Sequence, residues 1–319
     1  MKVKTTVVTI PGMILEEDLN KLRHVSELQY IEINDVTEDS LAQHAEGVDI
    51  LMLNFDVIVN GCGELAPSFW SRPELSNLKA VAFDMTGVDW ASPAQATASG
   101  LTLLNIPHYS SQSVAESVLS EVLLHSRQRH LAYMDEINGR EVVGRKGLNL
   151  KGRTLGIVGV GSIGSTVAAL GRGIGMNVIG WNRSSREGIP LVELGDLFAQ
   201  SDVVAVTLKT VKEGPEANVG IISESVLASA QGAIVVNLAN RALVDEGAMA
   251  DALRGGRVAA YSLDRNEDSM KGPLAGIEQV HFPPGNAWNS DESMDTLRET
   301  WVSNVLSFIA GNPENVLSN

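Results

Sequence analysis

Three glycines have a spacing that suits pyrophosphate binding, in the motif Gly159-x-Gly161-x-x-Gly164. The apolar run 155–158 precedes them, and small and apolar residues fill 165–170, which predicts a strand, a tight turn and a helix. The first glycine allows the turn, the second lets phosphate approach the backbone, and the third lets the helix lie close on the strand. The positive end of the helix then faces the phosphates. We therefore predict a dinucleotide site, whose residues are Gly159, Gly161, Ser162, Ile163 and Gly164.

Composition narrows the class of protein. The 319 residues are 44% hydrophobic and 20% charged, which is typical of a globular chain with room for two domains. A formal net charge of −15 argues against nucleic acid and anionic membranes as partners, although helix ends and local arginines can still bind an anionic cofactor. A single cysteine, Cys62, excludes an internal disulfide framework. Because the sequence shows neither a signal-peptide pattern nor a transmembrane run, we expect a cytoplasmic protein.

Strands and helices alternate along the chain, as in α/β proteins. Apolar runs predict strands at 3–10, 29–33, 48–53, 78–83, 101–105, 155–158, 177–181, 203–208, 233–237 and 258–263. Helical spacing predicts helices at 16–25, 113–137 and 291–310, with Val114, Val118, Val122 and Leu123 on one apolar face of the second. The glycine-rich, basic segment 138–151 is expected to be a connector. We therefore predict two βα domains, with a final helix that returns to the first.

Four stretches of the sequence resemble the D-isomer-specific 2-hydroxyacid dehydrogenase family. They are 78–81 with Thr86-Gly-Val-Asp89, 107–116, 150–164, and 236–246 with 260–264. Together, these four stretches indicate the family far more specifically than the three glycines alone. The resemblance implies an α/β fold of two doubly wound parallel-sheet domains. A Rossmann dinucleotide-binding domain at 105–290 would be inserted in a flavodoxin-like substrate domain formed by 1–104 and 291–319.

The resemblance also implies roles for particular segments. The backbone amides of Thr86 and Gly87 would hold a substrate carboxylate, and 107–116 would be the hinge between the domains. Asp264 would lie near the nicotinamide carboxamide. Helix 113–137 would form a homodimer, although a helix buried within one domain would give much the same pattern. The expected partners are a small-molecule substrate and a second copy of the chain, with no metal.

The loop after the second strand of the dinucleotide unit indicates which nicotinamide cofactor binds. Sites that prefer NAD usually end this strand with an acidic residue, which accepts hydrogen bonds from the ribose. Here Asn182 stands at that position, and it would not repel a 2′-phosphate. Arg183, Ser184 and Arg186 could bind the phosphate oxygens. We therefore predict NADP(H) over NAD(H), the alternative being a solvated basic loop.

The resemblance fails at the arginine that holds the substrate in this family. When the sequence is aligned with the family's motif at Asn237, Asn240 stands at the position of that arginine. Arg241 follows one residue later. A one-residue offset next to a strand end normally turns a side chain another way. An asparagine can bond a carbonyl oxygen but cannot neutralise a carboxylate.

The family's histidine and glutamate are also replaced. Gly285 takes the position of the proton-donating histidine, and His281, four residues earlier, is expected to pack or cap. The glutamate would fall in the divergent loop 265–272, at Ser269 by simple offset, with Glu267 or Asp268 nearby. General acid–base catalysis contributes roughly 10²–10⁴ in rate, so we expect very poor reduction of simple 2-keto acids.

Three hypotheses of function follow. The first is an NADP(H)-dependent oxidoreductase acting on a non-standard carbonyl, imine or enone. Its candidate catalytic residues are His108, Tyr109, Asp84 and Asn240. The second is a catalytically retired NADP(H)-binding sensor or interaction protein. The third is a lyase, cyclase or isomerase that uses the same cleft.

Overall fold

A computed structural model describes residues 2–142, 144–212, 214–264 and 271–317. Its strands are β1 (Val3–Thr9), β2 (Ser26–Glu32), β3 (Ile50–Leu53), β4 (Ala80–Phe83), β5 (Thr102–Leu104), β6 (Thr154–Val158), β7 (Asn177–Trp181), β8 (Val203–Val206), β9 (Ala233–Asn237), β10 (Val258–Leu263) and β11 (Val280–His281). Its α-helices are α1 (Glu16–Val25), α2 (Glu38–His44), α3 (Phe55–Asn60), α4 (Pro93–Ala98), α5 (Ser111–Ser126), α6 (Arg129–Ile137), α7 (Ser162–Gly173), α8 (Leu194–Gln200), α9 (Glu224–Leu227), α10 (Glu246–Arg254) and α11 (Asp291–Ile309).

The chain divides into two compact units, Met1–Tyr109 with Ser290–Asn319, and Ser110–Asn289. The first unit extends five residues beyond the boundary expected at 104, because the C-terminal segment binds the chain after β5. The Asn105 amide donates to the Asn315 carbonyl at 3.2 Å, and its carbonyl accepts from Asn304 Nδ2 at 2.8 Å. Residues 105–109 therefore belong with the first unit.

The first unit contains a parallel sheet with the strand order β2-β1-β3-β4-β5. This is the flavodoxin-like order, which reverses between β1 and β3. Every residue of β3 and β4 is buried, as expected for strands covered on both faces. From α11, Trp301 Nε1 donates to the Ala82 carbonyl at 2.8 Å. The predicted closing helix therefore does return to this unit.

The second unit contains a parallel sheet with the order β11-β10-β9-β8-β6-β7. The order reverses between β6 and β8, and ligands of open α/β sheets bind beside the carboxyl ends of strands at such a point. The glycine motif follows β6, so it lies at this point. The two sheets confirm the predicted α/β fold class. None of the described helices combines the length and apolarity needed to cross a membrane.

The predicted continuous helix 113–137 is wrong, because the chain breaks between α5 and α6. Gln128 adopts a left-handed conformation with φ of +49°, which an α-helix cannot contain. The Ser126 carbonyl accepts from the Leu148 amide at 2.7 Å instead of from the next helical turn. A Cβ on Gly147 would lie 2.7 Å from the same carbonyl oxygen, so the passing chain needs glycine there.

The start of α7 and the exposure of Leu123 also differ from the sequence-based expectations, as do the bounds of several strands. Helix α7 begins at Ser162 rather than at 165, because Gly161 already acts as its N-cap. Leu123 does not share the buried face of Val118 and Val122, since its side chain is 43% exposed. Glu121 and His125 are buried on that face instead.

Candidate functional site

The first glycine of the motif makes the turn after β6. Gly159 has φ of +94°, a conformation that disfavours any side chain. Its amide donates to the Trp181 carbonyl at 2.9 Å, and its carbonyl accepts from Thr207 Oγ1 at 2.7 Å. A Cβ here would lie 2.5 Å from Leu208 Cα. The turn is thus fixed between the ends of β7 and β8 and admits only glycine.

The other two glycines differ in what surrounds them. A Cβ on Gly161 would meet nothing within 4 Å, so the backbone there faces open space that a ligand can enter. A Cβ on Gly164 would lie 2.3 Å from the Gly159 carbonyl oxygen, because α7 packs directly on the turn. An open backbone above a helix N-terminus is the environment that binds a pyrophosphate.

Two residues at the start of α7 complete this turn. Ser162 is exposed, and its Oγ lies 2.8 Å from Ser111 Oγ. Ile163 is half-buried and packs against the core beneath β6. The first backbone amides of a helix lack partners within the helix and point outward. These residues fit the phosphates of a dinucleotide.

The loop after β7 is tied to the glycine turn through Val160. Asn182 Oδ1 accepts from the Val160 amide at 3.2 Å, and Arg186 Nε donates to the Val160 carbonyl at 2.7 Å. Asn182 Nδ2 also donates to Ser184, to its carbonyl at 2.9 Å and to its Oγ at 3.2 Å. Three of the four residues that the sequence selects for cofactor discrimination are therefore brought together.

The fourth residue, Arg183, points elsewhere in this structure. Its Nη1 lies 2.8 Å from Glu216 Oε2, and its Nη2 donates to the Glu216 carbonyl. Since both side chains are at least one-third exposed, this ion pair is weakly held. The guanidinium would have to leave Glu216 before it could bind a phosphate.

Asp264 immediately follows β10 and has an unusual environment. Its Oδ1 is buried and has no hydrogen-bond partner among the described residues. Burial, and secondarily the charge of Glu121, raise the pKa of the Asp264 carboxyl to about 6. A buried oxygen without a donor is costly unless a ligand supplies one. Asp264 Oδ1 therefore fits a ligand that carries an amide donor, such as nicotinamide.

Asn240 and Arg241 begin the short 3-10 helix Arg241–Leu243. Asn240 Oδ1 accepts from the Ala242 amide at 2.9 Å, and the side chain is exposed. Arg241 is engaged with Glu246, whose Oε1 lies 2.8 Å from its Nε and 2.6 Å from its Nη2. That Arg241 does not replace the family's arginine stays a prediction.

Gly285 lies in the exposed loop between β11 and α11, and Ala287 of that loop accepts from Ser117 Oγ at 3.2 Å. His281, at β11, lies with its Nδ1 2.7 Å from Glu121 Oε2. The alternative residues for the glutamate position, Glu267, Asp268 and Ser269, lie outside the described residues.

In the first unit, Asp84 follows β4 and is 3% exposed. It accepts hydrogen bonds from the Phe55 amide, at 3.0 Å, and from Asn54 Nδ2. Burial raises the pKa of its carboxyl to about 7, against the hydrogen bonds that lower it. Both oxygens therefore have a structural partner at the N-terminus of α3.

The loop at 85–88 follows β4 and is held by two hydrogen bonds of Thr86. Thr86 Oγ1 donates to the Ile106 carbonyl at 2.7 Å, and the Thr86 carbonyl accepts from Asn105 Nδ2 at 2.7 Å. These bonds fix the loop to the end of β5. Within the part of the chain that the structure describes, the amides of Thr86 and Gly87 donate no hydrogen bond. A fixed pair of free amides can bind a carboxylate.

His108 and Tyr109 end the first unit in different environments. His108 is exposed and has φ of +65°, a left-handed conformation that non-glycine residues seldom adopt. Such backbone strain is concentrated at functional and switch positions. Tyr109 is half-buried and packs against the core that contains Trp301. Of the two, His108 has the side chain that is open to a ligand.

The comparison with known families decides the classification. The family model described as D-isomer specific 2-hydroxyacid dehydrogenase, NAD binding domain, matches residues 120–287. The chain belongs to this family. It is therefore an NAD(P)-dependent oxidoreductase of the D-2-hydroxyacid dehydrogenase type.

Two of the similar relatives are named as dehydrogenases. Glycerate dehydrogenase of Methylorubrum extorquens is 28% identical over 294 residues, which cover 88% of this chain and 89% of that protein. D-3-phosphoglycerate dehydrogenase of Mycobacterium leprae is 34% identical over 246 residues, which cover 73% of this chain but only 46% of that longer protein. The family prediction from the four sequence stretches is thus confirmed.

Solved structures share the whole fold. An acyclic imino acid reductase, Bsp5, in complex with NADPH and D-Arg, has a TM-score of 0.86 at 23% identity, with 99% of this chain and 100% of that chain covered. A glyoxylate reductase from Paecilomyes thermophila has a TM-score of 0.85 at 22% identity, with 99% of both chains covered. At these identities the likeness concerns the fold, and the preference for NADP(H), the homodimer and the residue roles stay predictions.

Sequence reasoning missed one group of buried polar residues in the second unit: Glu121, His125 and Ser262. The signal was present, because positions 118, 121, 122 and 125 lie on one helical face. Two polar residues on an otherwise apolar face indicate a buried hydrogen-bond network.

Proposed function

We propose that this protein is an NADP(H)-dependent reductase whose substrate is an imine in its protonated, iminium form. The observation that carries the proposal is the pair of substitutions Asn240 and Gly285 at the positions of the family's arginine and histidine. The cofactor half of the family's machinery is retained, whereas the groups that grip a 2-keto acid and protonate its carbonyl are replaced.

An iminium explains both substitutions with one chemical argument. When bound, the cofactor would supply the hydride that reduces the iminium carbon, and the C=N electron pair would end on nitrogen. The nitrogen already carries its proton and ends as a neutral amine, so no acid is needed at the position of Gly285. An arginine at 240 would repel the cation, whereas the amide of Asn240 does not.

The carboxylate of an imino acid would bind to the loop after β4. Among the described residues, the amides of Thr86 and Gly87 donate no hydrogen bond, and Asn105 and the Ile106 carbonyl fix the loop that carries them. Preorganised backbone donors bind an oxyanion without reorganisation. The similar fold of the acyclic imino acid reductase is consistent with this substrate class.

Four residues remain candidates for direct contact with the substrate: His108, Tyr109, Asp84 and Asn240. A carbonyl or enone substrate would need one of the first three as its proton donor. An iminium needs none, so His108→Ala should leave the rate within a few-fold of that of the unaltered protein. A loss of roughly 10²–10⁴ would instead identify His108 as a general acid.

The cofactor is proposed to be NADP(H). Asn182 presents no negative charge to a 2′-phosphate, and Ser184 and Arg186 lie on the same loop beside Val160. Arg183 would add a fourth contact if its guanidinium left Glu216 and bound the phosphate. Guanidinium groups bind phosphate oxygens in bidentate geometry, so this exchange would favour binding.

We also propose a homodimer built on α6. This helix exposes large apolar side chains, with Tyr133 62% exposed, Ile137 60% and Met134 38%. A group of such residues on one short helix is typical of a protein interface. The occupant is a second copy of the chain, as the resemblance implies for this region.

The test of the proposed function compares NADPH oxidation with 2-keto acids alone against oxidation with the same keto acids plus an amine, which form imines in solution. A protein that binds NADPH but oxidises it under neither condition would support the second hypothesis, a cofactor-binding protein without turnover.

A further inference from the structure

Three asparagines of the first unit, Asn105, Asn304 and Asn315, form a hydrogen-bonded series that ends at the loop after β4. Asn315, in the segment that follows α11, donates from Nδ2 to Asn304 Oδ1 at 2.8 Å. Asn304, on α11, donates from Nδ2 to the Asn105 carbonyl at 2.8 Å. Asn105, which follows β5, donates from Nδ2 to the Thr86 carbonyl at 2.7 Å. We call these three residues the asparagine network.

Asn304 is the buried centre of the asparagine network. It is 0% exposed, on the side of α11 where Trp301 and Val305 are also buried. Burying a side-chain amide costs stability unless its polar atoms are hydrogen-bonded. Here the nitrogen binds residue 105 and the oxygen binds residue 315, so Asn304 fixes these two segments relative to each other.

The loop after β4 is attached to the segment at 105–106 by three hydrogen bonds. Besides the bond from Asn105 Nδ2, Thr86 Oγ1 donates to the Ile106 carbonyl at 2.7 Å. The Ile106 amide donates to the Met85 carbonyl at 3.0 Å. The direction of the amides at 86 and 87 therefore depends on where residues 105 and 106 are held.

The segment at 105–106 is itself held from its outer side by the residues after α11. It continues from β5, which is the edge strand of its sheet. Val316 forms an antiparallel bridge with Leu104, and the Asn105 amide donates to the Asn315 carbonyl at 3.2 Å. The position of the loop after β4 thus depends on a segment about 230 residues later in the sequence, through the asparagine network.

We propose that Asn105, Asn304 and Asn315 are positioning residues for the substrate carboxylate and act through the loop that carries Thr86 and Gly87. The inference rests on the proposed function, in which the amides of these two residues bind the carboxylate of an imino acid. Backbone donors bind an anion more tightly when they are already oriented, since nothing has to be ordered on binding. Loosening the loop should therefore weaken carboxylate binding and leave NADPH binding unchanged.

The direct test is a titration of the cofactor-free protein with propionate, a simple carboxylate, followed through the NMR signals of the Thr86 and Gly87 amides. Asn105→Ala removes the donor to the Thr86 carbonyl but keeps the backbone hydrogen bonds of residue 105. The dissociation constant of propionate should rise at least about fivefold. Asn312→Ala, an exposed asparagine in the segment after α11, is the control and should leave it unchanged.

Two results of this titration would overturn the proposal. One is an unchanged dissociation constant in Asn105→Ala. The other is the absence of any response of the Thr86 and Gly87 amides to propionate in the unaltered protein.

Asn315→Gly tests the other end of the asparagine network and serves if Asn105→Ala does not fold. Residue 315 has φ of +52°, which glycine adopts freely, so the change removes the side-chain amide without straining the backbone. Propionate should bind more weakly than in Asn312→Gly, the matched control. The Ile106 amide should also exchange with solvent faster, because its bond to the Met85 carbonyl opens more often. If either quantity matches the control, the proposed role of Asn315 is contradicted.

Steady-state kinetics separate this proposal from the proposed function. With pyruvate and methylamine as the source of imine, Asn105→Ala should raise KM at least about fivefold and keep kcat within about twofold of its original value. A lower kcat at an unchanged KM would contradict a positioning role toward the carboxylate. If the unaltered protein reduces no imine, the proposed function fails, while the propionate titration still decides whether the asparagine network positions a carboxylate site.

Discussion

Asn182 and Val160 connect the loop after β7 to the glycine turn, through a hydrogen bond of 3.2 Å from the Val160 amide to Asn182 Oδ1. The same bond places a neutral amide at the strand end where NAD-preferring sites carry an acid. Because Arg186 binds the carbonyl of the same Val160, a cation lies beside that neutral group. The relative affinity for NADPH and NADH is therefore the first property to test.

NADPH should bind more tightly than NADH, and Asn182→Asp should reverse the order. The new carboxylate would repel the 2′-phosphate and accept from the ribose hydroxyls, so NADPH affinity should fall by roughly 10- to 100-fold. Fluorescence titration with both cofactors measures this. Asn138→Asp, which adds the same charge after α6, should change neither affinity. Equal or stronger NADH binding by the unaltered protein would refute the preference.

The second and third glycines of the motif should respond differently to alanine. Gly161→Ala adds a Cβ into open space, so stability should hold while NADPH binding is lost. Gly164→Ala forces a Cβ to within 2.3 Å of the Gly159 carbonyl oxygen, and such overpacking costs about 1–3 kcal/mol. Gly173→Ala on the same helix meets nothing within 4 Å and is the control.

Thermal unfolding and NADPH titration of the three variants separate these effects. Gly173→Ala should match the unaltered protein in both measurements. If Gly161→Ala binds NADPH normally, the open space above that residue is not the pyrophosphate position.

Asp84 should make the first unit less stable as pH rises. Its pKa of 3.8 in the unfolded chain is raised to about 7 by burial, so between these values the folded chain holds a proton that the unfolded chain has lost. The free energy of unfolding therefore falls as pH rises across this window. Between pH 5 and pH 8 the loss due to this group should be on the order of 2 kcal/mol.

Urea unfolding of Asp84→Asn at the two pH values isolates this effect. Any loss of stability that comes from placing an amide next to Asn54 is the same at both pH values. The comparison therefore isolates the pH dependence of the free energy of unfolding. The free energy of unfolding of the variant, relative to that of the unaltered protein, should be greater at pH 8 than at pH 5. Asp35→Asn, at an exposed position, should show no such gain. A parallel pH dependence in Asp84→Asn would contradict the raised pKa of the Asp84 carboxyl.

The apolar surface of α6 should hold the dimer together. A Tyr133→Glu, Ile137→Glu double variant places two charges in that surface, and light scattering should then show a monomer. Val219→Glu changes a residue that is 57% exposed elsewhere in the same unit and should leave the dimer intact. A monomeric unaltered protein, or a double variant that stays dimeric, would contradict the proposed interface.

The parts of the fold that depend on local sequence are the parts that could be predicted. Strands β7, β9 and β10 have the bounds expected from their apolar runs. The glycine turn was recognisable because each of its three positions requires glycine for its own steric reason. The strands that impose these requirements are themselves implied by the motif. Family membership followed from several such local motifs taken together.

The features that could not be predicted depend on distant segments. The break at Gln128 coincides with two bonds to the segment at 146–148, because the Ser126 carbonyl accepts from the Leu148 amide and Gln128 Nε2 donates to the Lys146 carbonyl. Arg183 turns to Glu216, which lies 33 residues later in a separate loop. Nothing in the spacing of either pair indicates the contact, because it is set by the path of the intervening chain.

The most direct test of the central claim is the rate of NADPH oxidation with pyruvate, glyoxylate or hydroxypyruvate, measured with and without methylamine, which converts them into imines. The claim predicts oxidation near background with the keto acids alone and oxidation at least about 100-fold faster with the amine. The N-methyl amino acid product should be visible by mass spectrometry. Robust oxidation by a keto acid without amine would contradict the account, because it would require the proton donor and the carboxylate anchor that Gly285 and Asn240 cannot supply.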